Sequence, residues 1–209
     1  MVAEGPTRYV RRMPTPLDGD FVGEAFSGID VSGERIRNAR FERCRFDKCT
    51  LTGAHLLDCR FDSSTFTRSE LTTAVVAGTS FADVGFTNCR AMGVNWTTAY
   101  DLTFSVSFDQ CRLDNSTFAG MRLKNLRMTD CGARGVDLSE CDLTGARFAR
   151  SDLGGAIIRH TILEGADFSD AREFSFDFRT CKAGKTRVNV DTAMQILADL
   201  GLEVPALGR

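Results

Sequence analysis

Eight cysteines, two histidines and a scatter of carboxylates are the groups in this 209-residue chain that could bind a metal, attack a substrate or move protons. Metal binding needs Cys and His at short, fixed spacings, and no CxxC pair occurs among Cys44, Cys49, Cys59, Cys89, Cys111, Cys131, Cys141 and Cys181. His55 and His160 lie far apart, at what read as outward or turn positions, and no nucleophile–base pair is visible. The expectation is a protein with no catalytic residues, no metal and no cofactor. The 26 basic and 28 acidic residues leave a net charge of −2, which excludes a nucleic-acid binder that relies on bulk positive charge. No apolar run approaches the ~18 residues of a membrane span, and Arg8, Arg11 and Arg12 have no apolar stretch behind them to make a secretory signal. Thiols without a metal or disulfide role point to a reducing, cytoplasmic setting.

The elements that hold these groups follow a period of five. Phe21, Phe26, Val31, Ile36, Phe41, Phe46, Leu51, Leu56, Phe61, Phe66, Leu71, Val76, Phe81, Phe86, Ala91 and Trp96 form an unbroken apolar series. After a break the pattern resumes at Phe108 and runs through Leu113, Phe118, Leu123 and Met128 to Phe168. Neither a helix nor a flat strand has this period. Each pentad must be a short extended piece and a turn that brings the same side chain back inside. The residue two before each centre is small, and every cysteine falls there, which reads as compact apolar filling. Glycine is common two residues after the centre, where a corner needs positive φ.

A longer period lies over the short one. In the first register every Phe belongs to one of two series spaced by twenty: Phe21, Phe41, Phe61, Phe81 and Phe26, Phe46, Phe66, Phe86. Four pentads therefore make one coil, and coils stack by parallel backbone pairing at about 4.8 Å. The spacing predicts an all-β solenoid with four faces.

From Trp96 to Phe108 is two pentads plus two residues, so the segment 97–107 is expected to bulge outward or kink the rod. Trp96 reads as a plug for the volume left by Ala91. Tyr100, Asp101 and Phe104 read either as a partner-contacting projection or as part of a tolerated insertion that patches the seam. The chain thus divides into a mobile N-terminal arm (1–17, with Pro6, Pro14 and Pro16), a first β-helical segment (18–96), the interruption (97–107), a second segment (108–187), and a helix with tail (188–209). Glu173 occupies a core slot where the pentads weaken. Asp191 reads as the N-cap of a helix from Thr192 to Leu200, stopped by Gly201 and apolar nearly all round. It caps the last coil, alone or while also building a homodimer interface from Met194, Ile196, Leu197, Leu200, Leu202 and Val204.

Stretches such as Ala166-Asp167-Phe168-Ser169-Asp170 and Cys141-Asp142-Leu143-Thr144-Gly145 give the chain its resemblance to the pentapeptide-repeat family over about Phe21 to Phe178. That resemblance implies a right-handed quadrilateral β-helix with a short C-terminal capping and dimerisation helix. The interior interruption, the terminal helix and the segment Cys89 to Thr97 resemble the topoisomerase-protecting branch, which includes Qnr-type quinolone-resistance and albicidin-immunity proteins. The resemblance implies a homodimer that imitates DNA on DNA gyrase and topoisomerase IV and confers antibiotic resistance or self-immunity. It implies no direct binding of nucleic acid or membrane. A structural or interaction module with an unrelated partner is the alternative. Mimicry would need an acidic face, and residues 101–177 hold 13 acids against 9 bases. The candidates are Asp109, Asp114, Asp130, Asp137, Glu140, Asp142, Asp152, Glu164, Asp167 and Asp170, with Arg134, Arg147 and Arg150 interrupting them.

Overall fold

Three-residue strands, too short to persist alone, survive here because each hydrogen-bonds to the strand one coil below. The computed structural model describes residues 17–203 and is a parallel β-solenoid of about eight turns, closed by one helix, Val190–Asp199. Residues 1–16 of the expected arm, and Val204, lie outside the described residues, while Leu17, placed at the end of the mobile arm, is instead buried in the core. Partners are twenty residues apart, as in Phe21↔Phe41, Phe41↔Phe61 and Phe61↔Phe81 on one face, here called A. Face B carries Phe26, Phe46, Phe66, Phe86, Phe108, Met128, Phe148 and Phe168. Face C follows Val31, Leu51 and Leu71, and face D follows Ile36, Leu56 and Val76.

Stacking fixes the core. Rings on face B lie nearly parallel, with centroids 4.8 Å apart for Phe26 and Phe46 and 4.5 Å for Phe46 and Phe66. Face A rings meet them edge-on, as Phe41 meets Phe46 at 74° and 5.2 Å. Such pairs add about 0.5–1.5 kcal/mol each beyond the area they bury.

The corners do not depend on glycine. Eighteen non-glycine residues, among them Arg43, Lys48 and Asp58, sit at φ between +48° and +59°. Each such residue is normally disfavoured there. The ladder imposes the conformation, because the corner N–H must reach a carbonyl one coil on, as Arg43 N–H reaches Asp62 O at 2.8 Å.

The small inward residues do more than fill space. Between faces B and C, Cys49, Ser69, Cys89, Cys111, Cys131 and Ser151 form one column. Cys49 N–H donates to Ser69 Oγ (3.0 Å), Ser69 N–H to Cys89 Sγ (3.4 Å), Cys89 N–H to Cys111 Sγ (3.4 Å) and Cys131 N–H to Ser151 Oγ (3.1 Å). Each thiol or hydroxyl in turn donates to a carbonyl below, Cys89 to Phe66 O and Ser69 to Phe46 O. Reading cysteine as plain apolar filling missed this. Sulfur and oxygen satisfy buried N–H groups that alanine would leave unpaired.

The C-terminal end departs from expectation at three points. Phe174, not Glu173, takes the core slot and stacks on Phe168 at 4.0 Å, while Glu173 turns outward at φ +53°. A one-residue slip is cheaper than burying an unpaired carboxylate. The N-cap is Asn189, not Asp191: its Oδ1 accepts from Thr192 N–H (2.8 Å) while its Nδ2 donates to Ala171 O (2.9 Å). Only an amide can both cap the helix and tie it to the coil beneath. Finally, the helix is not buried all round. Thr192 alone is fully covered, with its hydroxyl on Phe174 O, and Met194 and Leu200 remain exposed.

Two substitutions probe this construction. Phe66→Ala, inside a ring stack, should cost about 3–5 kcal/mol in chemical denaturation, and a loss under about 1 kcal/mol would contradict the packing. Ser69→Ala keeps the volume but orphans Cys49 N–H, so it should cost about 1–3 kcal/mol while Ser69→Cys stays near wild type.

Candidate partner-binding surfaces

The interruption is absorbed, not extruded. Partners across it step by twenty-two residues, with Phe86↔Phe108, Arg90↔Arg112 and Asn95↔Thr117 in unbroken register on three faces. The two extra residues are taken up on face A by short 3-10 turns at Trp96–Thr98 and Asp101–Thr103. This corrects the expected bulge, since a solenoid can lengthen one side locally while the other three sides keep pairing. Trp96 is fully buried, stacked on Phe118 and edge-on to Phe81, Phe86, Phe104 and Phe108. Its indole N–H has no hydrogen-bond partner among the described residues.

The three residues assigned to a projecting loop separate. Phe104 is only 9% exposed and packs on Phe81 and Trp96, filling the core where face A lacks a pentad centre. It cannot touch a partner. Asp101 is half-buried, and its carboxylate accepts Arg122 N–H at 3.2 Å, replacing the carbonyl that the missing strand would supply. Tyr100 stays accessible at 48%, and Leu102, which the periodicity did not single out, is 70% exposed.

The acidic candidates do not share one face. The ladder puts Asp109 and Asp167 on face B, with Asp130 and Asp170 at its edge. Asp114 and Asp152 fall on face C, Asp137 on face D with Glu140 at the next corner, and Asp142 and Glu164 on face A. Basic side chains meet five of the ten: Arg112–Asp114 (2.7 Å), Arg150–Asp130 (2.5 Å), Lys124–Asp142 (3.3 Å), Arg134–Asp152 (2.9 Å) and Arg187–Asp167 (3.3 Å). Asp109, Asp137, Glu140, Glu164 and Asp170 form no ion pair among the described residues. The periodicity could have foreshadowed the pairs, because several link residues about twenty apart.

These contacts perturb the carboxyls. The Arg150 guanidinium holds Asp130 below the usual carboxylate range, and the Ser169 hydroxyl does so for Asp167. Burial opposes ionisation of Asp142 and Asp152, but bonds from Thr144 and Lys124, and from Gly154 N–H and Arg134, outweigh it and lower both. Several thiols move the other way: burial pushes Cys141 up to about 12 and raises Cys44, Cys49 and Cys59, while Cys111 rises through its neighbours Cys131 and Cys89. Protonated thiols of this kind are poor nucleophiles and poor metal ligands. No metal-binding cluster occurs among the described residues, and no described helix is long and apolar enough to cross a membrane.

At the C-terminal end, Val190 (75% exposed), Met194, Leu200 and Leu202 are exposed apolar residues, while Ile196 and Leu197 are half-buried and Ile196 packs on the core.

A four-faced parallel solenoid built in five-residue steps is a repeat scaffold. The family model for the pentapeptide repeat region matches residues 39–104 and 101–188, and the chain belongs to the pentapeptide-repeat family. Among solved structures, a trypsin-treated point variant of QnrB1, a plasmid-mediated fluoroquinolone resistance protein, is similar at TM-score 0.55 and 16% identity, covering 90% of this chain and 99% of that one. A second trypsin-treated point variant of the same protein matches at TM-score 0.53 and 18% identity, with the same coverage. No curated protein matches the chain in sequence.

The lowered carboxyl values set the sign of an acid response. A group with a depressed folded pKa contributes stability above its unfolded value, near 3.9 for Asp, and that contribution is lost as pH falls. The melting temperature should therefore hold steady down to about pH 5 and drop between about pH 4 and pH 2. A melting curve unchanged at about pH 3 would show that these pairs do not stabilise the fold.

Proposed function

We propose that this chain is a non-catalytic cytoplasmic protein that occupies the DNA-binding surface of DNA gyrase, and of topoisomerase IV, and so protects them from topoisomerase poisons. The observation that carries this reading is the end-to-end match to a fluoroquinolone resistance protein, which includes 99% of that chain. Surface chemistry narrows where contact would fall. Asp101 lies beside the exposed Leu102 on face A, and two acids without an ion pair among the described residues, Asp137 on face D and Glu140 at the following corner, come two coils further along. Asp142 adjoins them in the ladder next to Arg122, with its charge shared by Lys124. Asp109, Asp114, Asp130, Asp152 and Asp167 would contribute only a diffuse background, since arginine neutralises four of them.

The apolar surface at the helix end supports a homodimer. Val190, Met194, Leu200 and Leu202 are exposed at the terminal helix, and a second copy would cover them in an isologous contact. Two rods joined this way double the length that a DNA-binding groove would meet.

Purified protein added to gyrase should reduce fluoroquinolone-stabilised DNA cleavage and restore supercoiling. The double variant Asp137→Asn/Glu140→Gln should lose most of that protection with its melting temperature unchanged. Unaltered cleavage at saturating protein would refute the reading. Leu200→Arg should convert the dimer to monomers by light scattering while the repeats stay folded, and a mass that does not change would remove the helix from the interface.

A further inference from the structure

The twenty-residue period puts Arg40, Arg60, Ser80 and Tyr100 in one outward column of face A. Their N–H groups donate to Gly19 O, Ala39 O, Cys59 O and Thr79 O in the same ladder pattern, so Tyr100 completes the column just before the extra residues enter. Beside it runs a groove of about 250 Å³, lined by these four side chains with Asp58 and Gly78. At Gly78 (φ +67°) a Cβ would press on the Asp58 carboxylate.

Two arginines and one carboxylate, Asp58, line the groove, an excess of one positive charge. Arg40 and Arg60 stand directly opposite each other in neighbouring strands. Arg40 approaches only Asp20, at 4.0 Å, and Arg60 has no ion-pair partner among the described residues. Like charges so placed repel each other, and a dianion between them would remove the repulsion. The N–H groups of Gly78, Ser80 and Tyr100 are already donated to carbonyls, so side chains must do the binding.

We propose that this groove binds a nucleoside monophosphate. The phosphate sits between the Arg40 and Arg60 guanidinium groups. At about 4.8 Å per coil, Tyr100 lies about 10 Å beyond Arg60, the distance at which the base of a mononucleotide would reach its ring. Between them, the Asp58 carboxylate offers a partner to the sugar hydroxyls, and Ser80, buried with its hydroxyl on Thr103 Oγ1 at 2.8 Å, forms the floor. A polyanion fits poorly, because the chain is net negative and Asp58 and Asp62 flank the arginines.

Calorimetric titration of the full chain with adenosine 5′-monophosphate tests this directly, with adenosine, inorganic phosphate and a short oligo(dA) as separate arms. The monophosphate should saturate one site per chain below about 5 mM, with adenosine and inorganic phosphate each about ten-fold weaker. Arg60→Gln and Tyr100→Ala, both at exposed positions, should each weaken it about ten-fold without lowering the melting temperature. No saturation, equal affinity for inorganic phosphate, or unchanged binding in Arg60→Gln would overturn the site. Tighter binding of oligo(dA) would overturn its assignment to a mononucleotide.

Discussion

Every inward position in this molecule must accept its own successor directly above it, because parallel pairing spaces coils at about 4.8 Å. That constraint selects side chains that stack on themselves. Phenylalanine does so face to face, and the near-parallel rings of Phe26, Phe46, Phe66 and Phe86 show how one column becomes a rod. It also makes outward charge a question of neighbours twenty residues apart. Arg150 meets Asp130 and Arg187 meets Asp167 because the ladder delivers them to each other.

The same constraint explains how the chain tolerates an irregularity. Three faces keep their register across the interruption, and the fourth substitutes parts: Phe104 for a pentad centre and the Asp101 carboxylate for a strand carbonyl. The indole N–H of Trp96 has no partner among the described residues and sits among aromatic rings, a local cost offset by its contacts with five of them. Solvent there reaches the Tyr100 ring, the Leu102 side chain and the hydroxyl residues Thr97, Thr98, Thr103, Ser105 and Ser107.

Much of the fold was legible in the amino-acid order, because pentad and coil periods are one-dimensional signals of a one-dimensional architecture. The partner surfaces were less so. Phe104 and Leu102 are both apolar residues in an irregular stretch, and nothing local distinguishes the buried one from the exposed one. Asn189 and Asp191 are both good caps, and the choice rested on a carbonyl, Ala171 O, eighteen residues earlier. The acids formed a run in the sequence but spread over four faces once wound.

The order of residues by itself determined the five-residue step, the four columns and, wherever the period holds, which side chains line them, since those follow from spacing alone. Tertiary structure decided which thiol meets which N–H, which acids keep their charge unpaired, and how much of the terminal helix stays bare. The reason is geometric. A repeat specifies its own period, but contacts where the period fails, at the interruption and at the final coil, exist only after the chain has closed around itself.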